Sequence, residues 1–361
     1  GNPDEQPATV QLELGRLYAR SGRRLEGAQR LWEVAREHPQ HPAAPGALRR
    51  AARLFSELGF HYQAAKPLET YLRAYPLDPR RMAIQLELGR LYALAGEAGA
   101  AREELIPLTY RDAGNLAVRA RYWLAYLLSR EGDYQAAAEA LDGLGQRAPG
   151  YPEGQPELLL EVARTRLETG DPGRARELAA VFLRRYEGHP RRLEALLRQG
   201  RAFMAMEAWS RAGARFREVL DAGPQADMEA RARAALVRTD HALGRVGLDR
   251  AVAKLTGIAE GLPGSRAAME ARLMAATLLA EAERRDRALA LLRPVLERGQ
   301  PRDRRRARPL VDRLLPPAMA AALEADDPWR AFRLYNRFAG EPAAQPVSER
   351  AFRALMRLGA L

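Results

Sequence analysis

The string QLELGRLYA stands twice in the chain, at residues 11–19 and again at residues 85–93. The copies are offset by 74 residues, twice 37, and a step of 37 uncovers a degraded copy between them at residues 46–56. A fixed stride of this size restricts the fold more than any composition does. Each repeat is one supersecondary unit that cannot bury its apolar face alone, so the chain must grow by stacking neighbours along an axis. Length therefore does not count domains: 361 residues read as one elongated body of repeats rather than several compact cores.

The residues within each stride are those of two amphipathic helices. In the first, Leu14, Gly15 and Tyr18 precede a turn at Gly22; Gly27, Leu31 and Val34 follow it, with a stop near Pro39. The second repeats this with Ala52, Phe55, Gly59, Ala64, Leu68, Tyr71 and Pro76, and the third with Gly89, Tyr92, Gly96, Ala101, Leu105 and Leu108. The fourth has Ala125, Leu128, Gly132, Ala137, Leu141, Leu144 and Pro149; the fifth is looser, in Ala163, Gly170, Ala175 and Phe182. The sixth is clean again in Gly200, Phe203, Ala212, Phe216 and Val219. The seventh runs past Gly244 to Ala251 and Leu255, and the eighth has Ala276, Leu279, Ala288, Leu292 and Val295.

This spacing of small and large apolar residues resembles the tetratricopeptide repeat, over nearly the whole chain. The resemblance implies an all-α, right-handed superhelical solenoid of antiparallel helix hairpins. Its expected organisation is a tail over residues 1–7, eight repeats over 8–300, an irregular basic ninth over 301–342, and a capping or truncated helix over 343–361. In the ninth, Pro309, Pro316 and Pro317 are expected to interrupt the helix, and in the last, Arg350, Arg353 and Arg357 suit the polar outside of a cap. The stride exceeds that of the family, and the surplus lies in proline-punctuated links such as residues 38–42 and 75–79. Such links resemble those of bacterial cell-envelope repeat scaffolds, including outer-membrane assembly lipoproteins and exopolysaccharide-export scaffolds. They set the expectation of a periplasmic rather than a cytoplasmic compartment.

One polar feature keeps the stride. Arg16, Arg53, Arg90, Arg164, Arg201 and Arg238 recur at one position of the first helix, interrupted by Tyr126 and Thr277. In the family that position looks into the concave groove, so the resemblance implies six guanidinium groups on one inner wall, suited to carboxylate or phosphate. The alternative is internal pairing with Glu13, Glu87, Glu161, Glu168 or Glu194. Where the ladder lapses, Tyr122, Trp123 and Tyr126 form an aromatic cluster; Tyr122 and Tyr126 are one turn apart and could anchor a peptide. The expected groove is thus Arg16, Arg53, Arg90, Tyr122, Tyr126, Arg164, Arg201 and Arg238. A clamp on a C-terminal carboxylate, which in the family uses Lys and Asn, is not expected, because the only asparagines are Asn2, Asn115 and Asn336.

Chemistry-bearing patterns are missing. The chain has no cysteine, so neither a thiol nucleophile nor a disulfide framework is available. Its five histidines have no ligand-like spacing, no phosphate-binding glycine loop occurs, and the carboxylates read as solvated. Neither catalysis, a metal, a cofactor nor a small-molecule substrate is expected. The net charge of +12 is almost wholly arginine. With the dense run at residues 302–308, it admits an anionic polymer, polysaccharide or nucleic acid, as an alternative to a protein or peptide partner. The run reads otherwise as a solvated loop or helix start. An open hairpin face at the end of the stack makes self-association conceivable. The absent initial Met suggests a processed or excised segment, consistent with a regulatory domain of a larger export protein.

Overall fold

A computed structural model describes residues 5–110, 114–148, 150–338 and 341, with side-chain detail withheld at Glu5, Gln6 and Gln146. Pro149 and the expected terminal helix with Arg350, Arg353 and Arg357 lie outside the described residues. Among these residues all regular structure is helical. The chain divides into two compact units, residues 1–169 and 170–361.

The first unit contains α1 (Glu5–Arg20), α2 (Arg24–Glu37), α3 (Ala44–Glu57), α4 (His61–Ala74), α5 (Arg81–Ala95), α6 (Ala98–Tyr110), α7 (Asn115–Glu131), α8 (Tyr134–Leu141), α9 (Leu144–Arg147) and α10 (Pro156–Glu168). The second contains α11 (Pro172–Arg185), α12 (Arg192–Ala205), α13 (Trp209–Asp221), α14 (Ala226–Ala242), α15 (Leu248–Gly261), α16 (Arg266–Glu281), α17 (Arg285–Arg298), α18 (Pro301–Glu324) and α19 (Pro328–Arg337). Within each unit consecutive helices pack as hairpins, and each hairpin packs on the next.

Small residues set the helix crossings. A Cβ on Gly89 would lie 2.6 Å from Leu105 Cγ, and one on Gly200 would lie 2.4 Å from Phe216 Cε1. At both positions the absent side chain lets the second helix of the hairpin drive a buried Leu or Phe against the backbone of the first. The turns after α5 and α7 close on Gly96 and Gly132, with φ of 88° and 86°, the left-handed region open to glycine. In the second unit Glu207, Glu283 and Asp326 take that conformation, with φ of 57°, 58° and 54°.

Two expectations are corrected. Pro309, Pro316 and Pro317 do not interrupt α18, which runs 24 residues from Pro301 to Glu324; residues 302–308 form its opening turns, the helix start that the run also allowed. The prolines lie on its open or half-open sides, where carbonyls freed by the missing N–H groups can meet water. Buried Val311, Leu314, Leu315, Ala318 and Met319 hold the helix to its neighbours. The second correction concerns the fourth repeat, whose second helix is broken: α8 ends at Leu141, Gly143 turns at φ 77°, and α9 resumes for four residues.

Candidate partner-binding surface

Each arginine of the ladder is placed on a first helix, and each is paired with a glutamate. In the first unit Arg16 pairs with Glu13, Arg53 Nε with Glu57 at 3.1 Å, and Arg90 Nε with Glu87 at 2.8 Å. Arg164 reaches Glu161 at 3.3 Å. In the second, Arg201 pairs with Glu270, and Arg238 Nη2 with Glu281 at 2.8 Å. Exposure then separates them. The Arg53 side chain is 79% exposed and that of Arg16 34%, whereas Arg90, Arg164, Arg201 and Arg238 are largely covered. Six free guanidiniums on one wall, as a continuous polyanion site would require, are not what the pairs leave.

Tyr122 and Tyr126 do not offer open rings. Both are buried, together with Trp123, and a residue from further along the chain folds back onto Tyr122 and Trp123. Tyr151, from the Gly- and Pro-rich stretch between α9 and α10, accepts a hydrogen bond on its hydroxyl from Trp123 Nε1 at 2.9 Å. Its ring stands 5.6 Å from that of Tyr122, with the Arg119 guanidinium 5.3 Å from its centroid. The Trp123 and Tyr126 rings are tilted at 57° with centroids 5.2 Å apart, and Arg90 stands 6.0 Å from the Trp123 ring. Burial pushes the Tyr151 hydroxyl above its ordinary pKa, Trp123, Arg90 and Arg119 opposing. The gap in the ladder is therefore a packed aromatic plug.

Carboxylates are also more deeply placed than expected. Glu161, Glu270 and Asp303 are buried, and each has polar partners. Glu161 accepts from Ser129 Oγ at 3.0 Å and from Arg164; Asp303 closes a capping box with Gln300 at the start of α18. Glu270, on α16, is a node for three hairpins. Its Oε2 receives Arg201 from α12 and Arg231 Nε from α14 at 3.1 Å, and its Oε1 receives Arg266 Nε at 2.9 Å. Burial alone would raise the Glu270 pKa, but Arg201, Arg231, Arg266 and Arg306 together hold it well below the usual carboxylate range. Burial likewise brings Arg231 down to about 10, against the pull of Glu270 and helped by the neighbouring arginines. Such a node ties helices together, and a charged carboxylate at its centre is not a proton donor near neutral pH.

Of the eight expected groove residues, then, Arg53 and, less fully, Arg16 reach solvent, while the others serve packing or internal pairs. Arg119, Tyr151, Arg231, Arg266 and Glu270 were not expected. Tyr151 carried a faint signal, an aromatic inside a glycine- and proline-rich link; Glu270 carried only the i,i+4 spacing to Arg266, its other two partners lying 39 and 69 residues away. Among the described residues no group of three His, Cys, Asp or Glu is placed to hold a metal ion, and no helix is long and apolar enough to cross a membrane.

Residues 119–151 match the family model of the tetratricopeptide repeat. No curated protein matches the sequence significantly. Among solved structures, a Rap protein complexed with competence and sporulation factor is similar at a TM-score of 0.53 and 13% identity, with 87% of this chain and 98% of that chain covered. A tetratricopeptide repeat protein from Parabacteroides merdae is similar at a TM-score of 0.45 and 14% identity, covering 73% and 98%. Pseudomonas aeruginosa pilF is similar at 0.44 and 19%, covering 63% and 95%. With hairpins stacked at one stride and one of them matched directly, the chain is built of tetratricopeptide-type repeats.

Proposed function

We propose that the protein is a non-catalytic scaffold that holds a protein or peptide partner on its first-helix faces, in the assembly of a bacterial envelope complex. The observation that carries this is the hairpin fold itself, shared with a Rap protein whose structure was solved with competence and sporulation factor bound. Within each unit the stacked first helices offer a surface of fixed geometry, which costs a partner little ordering on the scaffold side. Arg16 and Arg53 are its open polar anchors. Each is oriented by its glutamate and keeps guanidinium N–H groups for an acidic side chain. The proline-stiffened links between hairpins are the ground for the envelope, and for a periplasmic site.

The test is capture from the source extract by the wild-type chain beside an Arg16→Ala/Arg53→Ala variant, with a salt series on each. A saturable partner retained by the wild type and weakened at least tenfold in the variant is expected. Equal capture by both would remove the first-helix arginines from recognition. Indiscriminate binding of unrelated polyanions, lost steeply with salt, would replace the scaffold reading with a polymer one. Fractionation of the tagged protein in its own cells tests the compartment.

A further inference from the structure

The stride lets each position be compared across repeats, and the α14–α15 hairpin differs from its neighbours on both sides at three of them. The crossing residue on the first helix is Gly200 in the hairpin before and Ala276 in the hairpin after. On α14 it is Val237, too bulky for the same close approach. One turn on, Tyr18, Phe55, Tyr92, Leu128, Phe203 and Leu279 are large and apolar; the fifth repeat has Arg166 there, and α14 has Asp240. On the second helix Val34, Tyr71, Leu108, Val219 and Val295 are buried, whereas their counterpart Ile258 is half-open. Five residues, 243–247, join α14 to α15, where three join α12 to α13 and α16 to α17.

Between the two helices lies a cleft of about 560 Å³. Leu236, Val237, Gly257 and Ile258 give it an apolar lining, to which Arg233, Asp240 and Lys254 add charge. Most of that charge is matched. Asp240 meets Arg245 at 3.1 Å and Arg217 at 3.7 Å, and Arg233 meets Glu229 at 2.5 Å. Exposed Lys254 has no ion pair or hydrogen bond among the described residues, so its ammonium is the unmatched charge. The cleft lies inside the second unit, with α12–α13 before it and α16–α17 after it. Its opening therefore owes nothing to where the chain begins or ends.

We infer that this cleft takes an aromatic side chain of a partner peptide, with a carboxylate next to that side chain meeting Lys254. The other repeats supply the kind of occupant: most of them set a Tyr, Phe or Leu of their own at the place where α14 has the shorter Asp240. An aromatic ring brings a large apolar area with few rotatable bonds to fix, and Lys254 sets the sign of its neighbour. The chain's own sequence outside the described residues offers one aromatic, Phe352, and Arg350 and Arg353 flank it. Those carry the charge that Lys254 repels. None of the six ladder arginines lines the cleft, so the inference stands whether or not they bind anything.

The chain has no cysteine, so Gly257→Cys sets a single thiol in the cleft, and Leu77→Cys, at a 94% exposed residue, serves as the reference. The probes are blocked peptides carrying one cysteine and the pair Phe-Glu, Ala-Glu or Phe-Lys. Each is exchanged onto either thiol, and the mixed disulfide is titrated with 2-mercaptoethanol. The Phe-Glu peptide on Gly257→Cys should withstand at least tenfold more thiol than it does on Leu77→Cys, and than the other two peptides do on Gly257→Cys. Adding Lys254→Glu should turn the preference toward Phe-Lys. Equal resistance at the two sites, or resistance that does not depend on the Phe, overturns the proposal. A preference for Phe-Glu that Lys254→Glu leaves unchanged overturns it as well. Shielding of Gly257→Cys from maleimide in the chain alone, relative to Leu77→Cys, assigns the cleft to the chain's own residues and overturns it equally.

Discussion

The Glu270 node makes the strongest quantitative demand on the fold. Glu270→Gln preserves the side chain's shape and removes its charge, leaving Arg201, Arg231 and Arg266 facing a neutral amide whose nitrogen is itself a donor. Removing one partner from a buried pair costs about 3–5 kcal/mol, because the other charge is left uncompensated. Glu270 is 3% exposed and holds guanidiniums from α12, α14 and α16, so the loss should reach the upper part of that range. The control is Glu57→Gln, which breaks the exposed pair with Arg53 and should cost less than about 1 kcal/mol. Urea unfolding followed by circular dichroism reads both losses as midpoint shifts, with amide exchange on α12, α14 and α16 locating the opening. The pH dependence supplies a second sign. The folded-state pKa of Glu270 lies well below its ordinary value, so its stabilisation is fully present above that ordinary value, roughly pH 4.3, and is lost as pH falls toward the folded value. Wild type should therefore lose stability on acidification below about pH 4 more steeply than Glu270→Gln. A Glu270→Gln protein within about 1 kcal/mol of wild type, with an unchanged acid limb, would refute the node as a structural tie.

Four further outcomes follow from local geometry. Gly200→Leu drives side-chain atoms into buried Phe216 and should cost about 1–3 kcal/mol or more by overpacking, partly restored by Phe216→Ala. Gly257→Ala, in an exposed helical position with open space around it, should instead raise stability by about 0.5–1 kcal/mol. Thermal melts of the three proteins check the opposed signs. Glu207→Gly relieves a left-handed backbone at an exposed turn and should gain about 1 kcal/mol, read by the urea midpoint. Tyr151→Phe leaves the buried Trp123 indole N–H without its acceptor and should cost about 1–3 kcal/mol, with a changed Trp emission maximum. Unchanged emission and stability would remove Tyr151 from the plug.

The hairpins were legible because the periodicity is local. Each helix carries its own apolar stripe, and each crossing has its small residue within the same stride, as Gly89 and Gly200 do. Pairing within one helix was legible for the same reason: Glu13, Glu87 and Glu161 stand three residues before Arg16, Arg90 and Arg164. What the sequence hid depends on which helices become neighbours. Arg201 and Arg238 find Glu270 and Glu281 on a later first helix, and Tyr151 returns from a link to close the aromatic cluster; no spacing rule announces either. Pro309, Pro316 and Pro317 misled because a local rule for breaking helices was outweighed by the buried face of α18.

The two lapses in the ladder then acquire a physical sense. Where α7 lacks an arginine, Tyr126 is buried and Tyr151 ties the link back onto the first-helix face. Where α16 lacks one, with Thr277 donating to the Leu273 carbonyl of its own helix at 2.9 Å, the same helix contributes Glu270 and Glu281. Those glutamates hold the arginines of α12 and α14. A guanidinium with only its own turn to pair with leaves neighbouring hairpins unconnected by charge, whereas a carboxylate reached from two other helices joins them. The interruption on α16 thus comes with carboxylates that join repeats, whereas on α1 and α3 Arg16 and Arg53 pair within their own helices and keep the more open guanidiniums of the ladder.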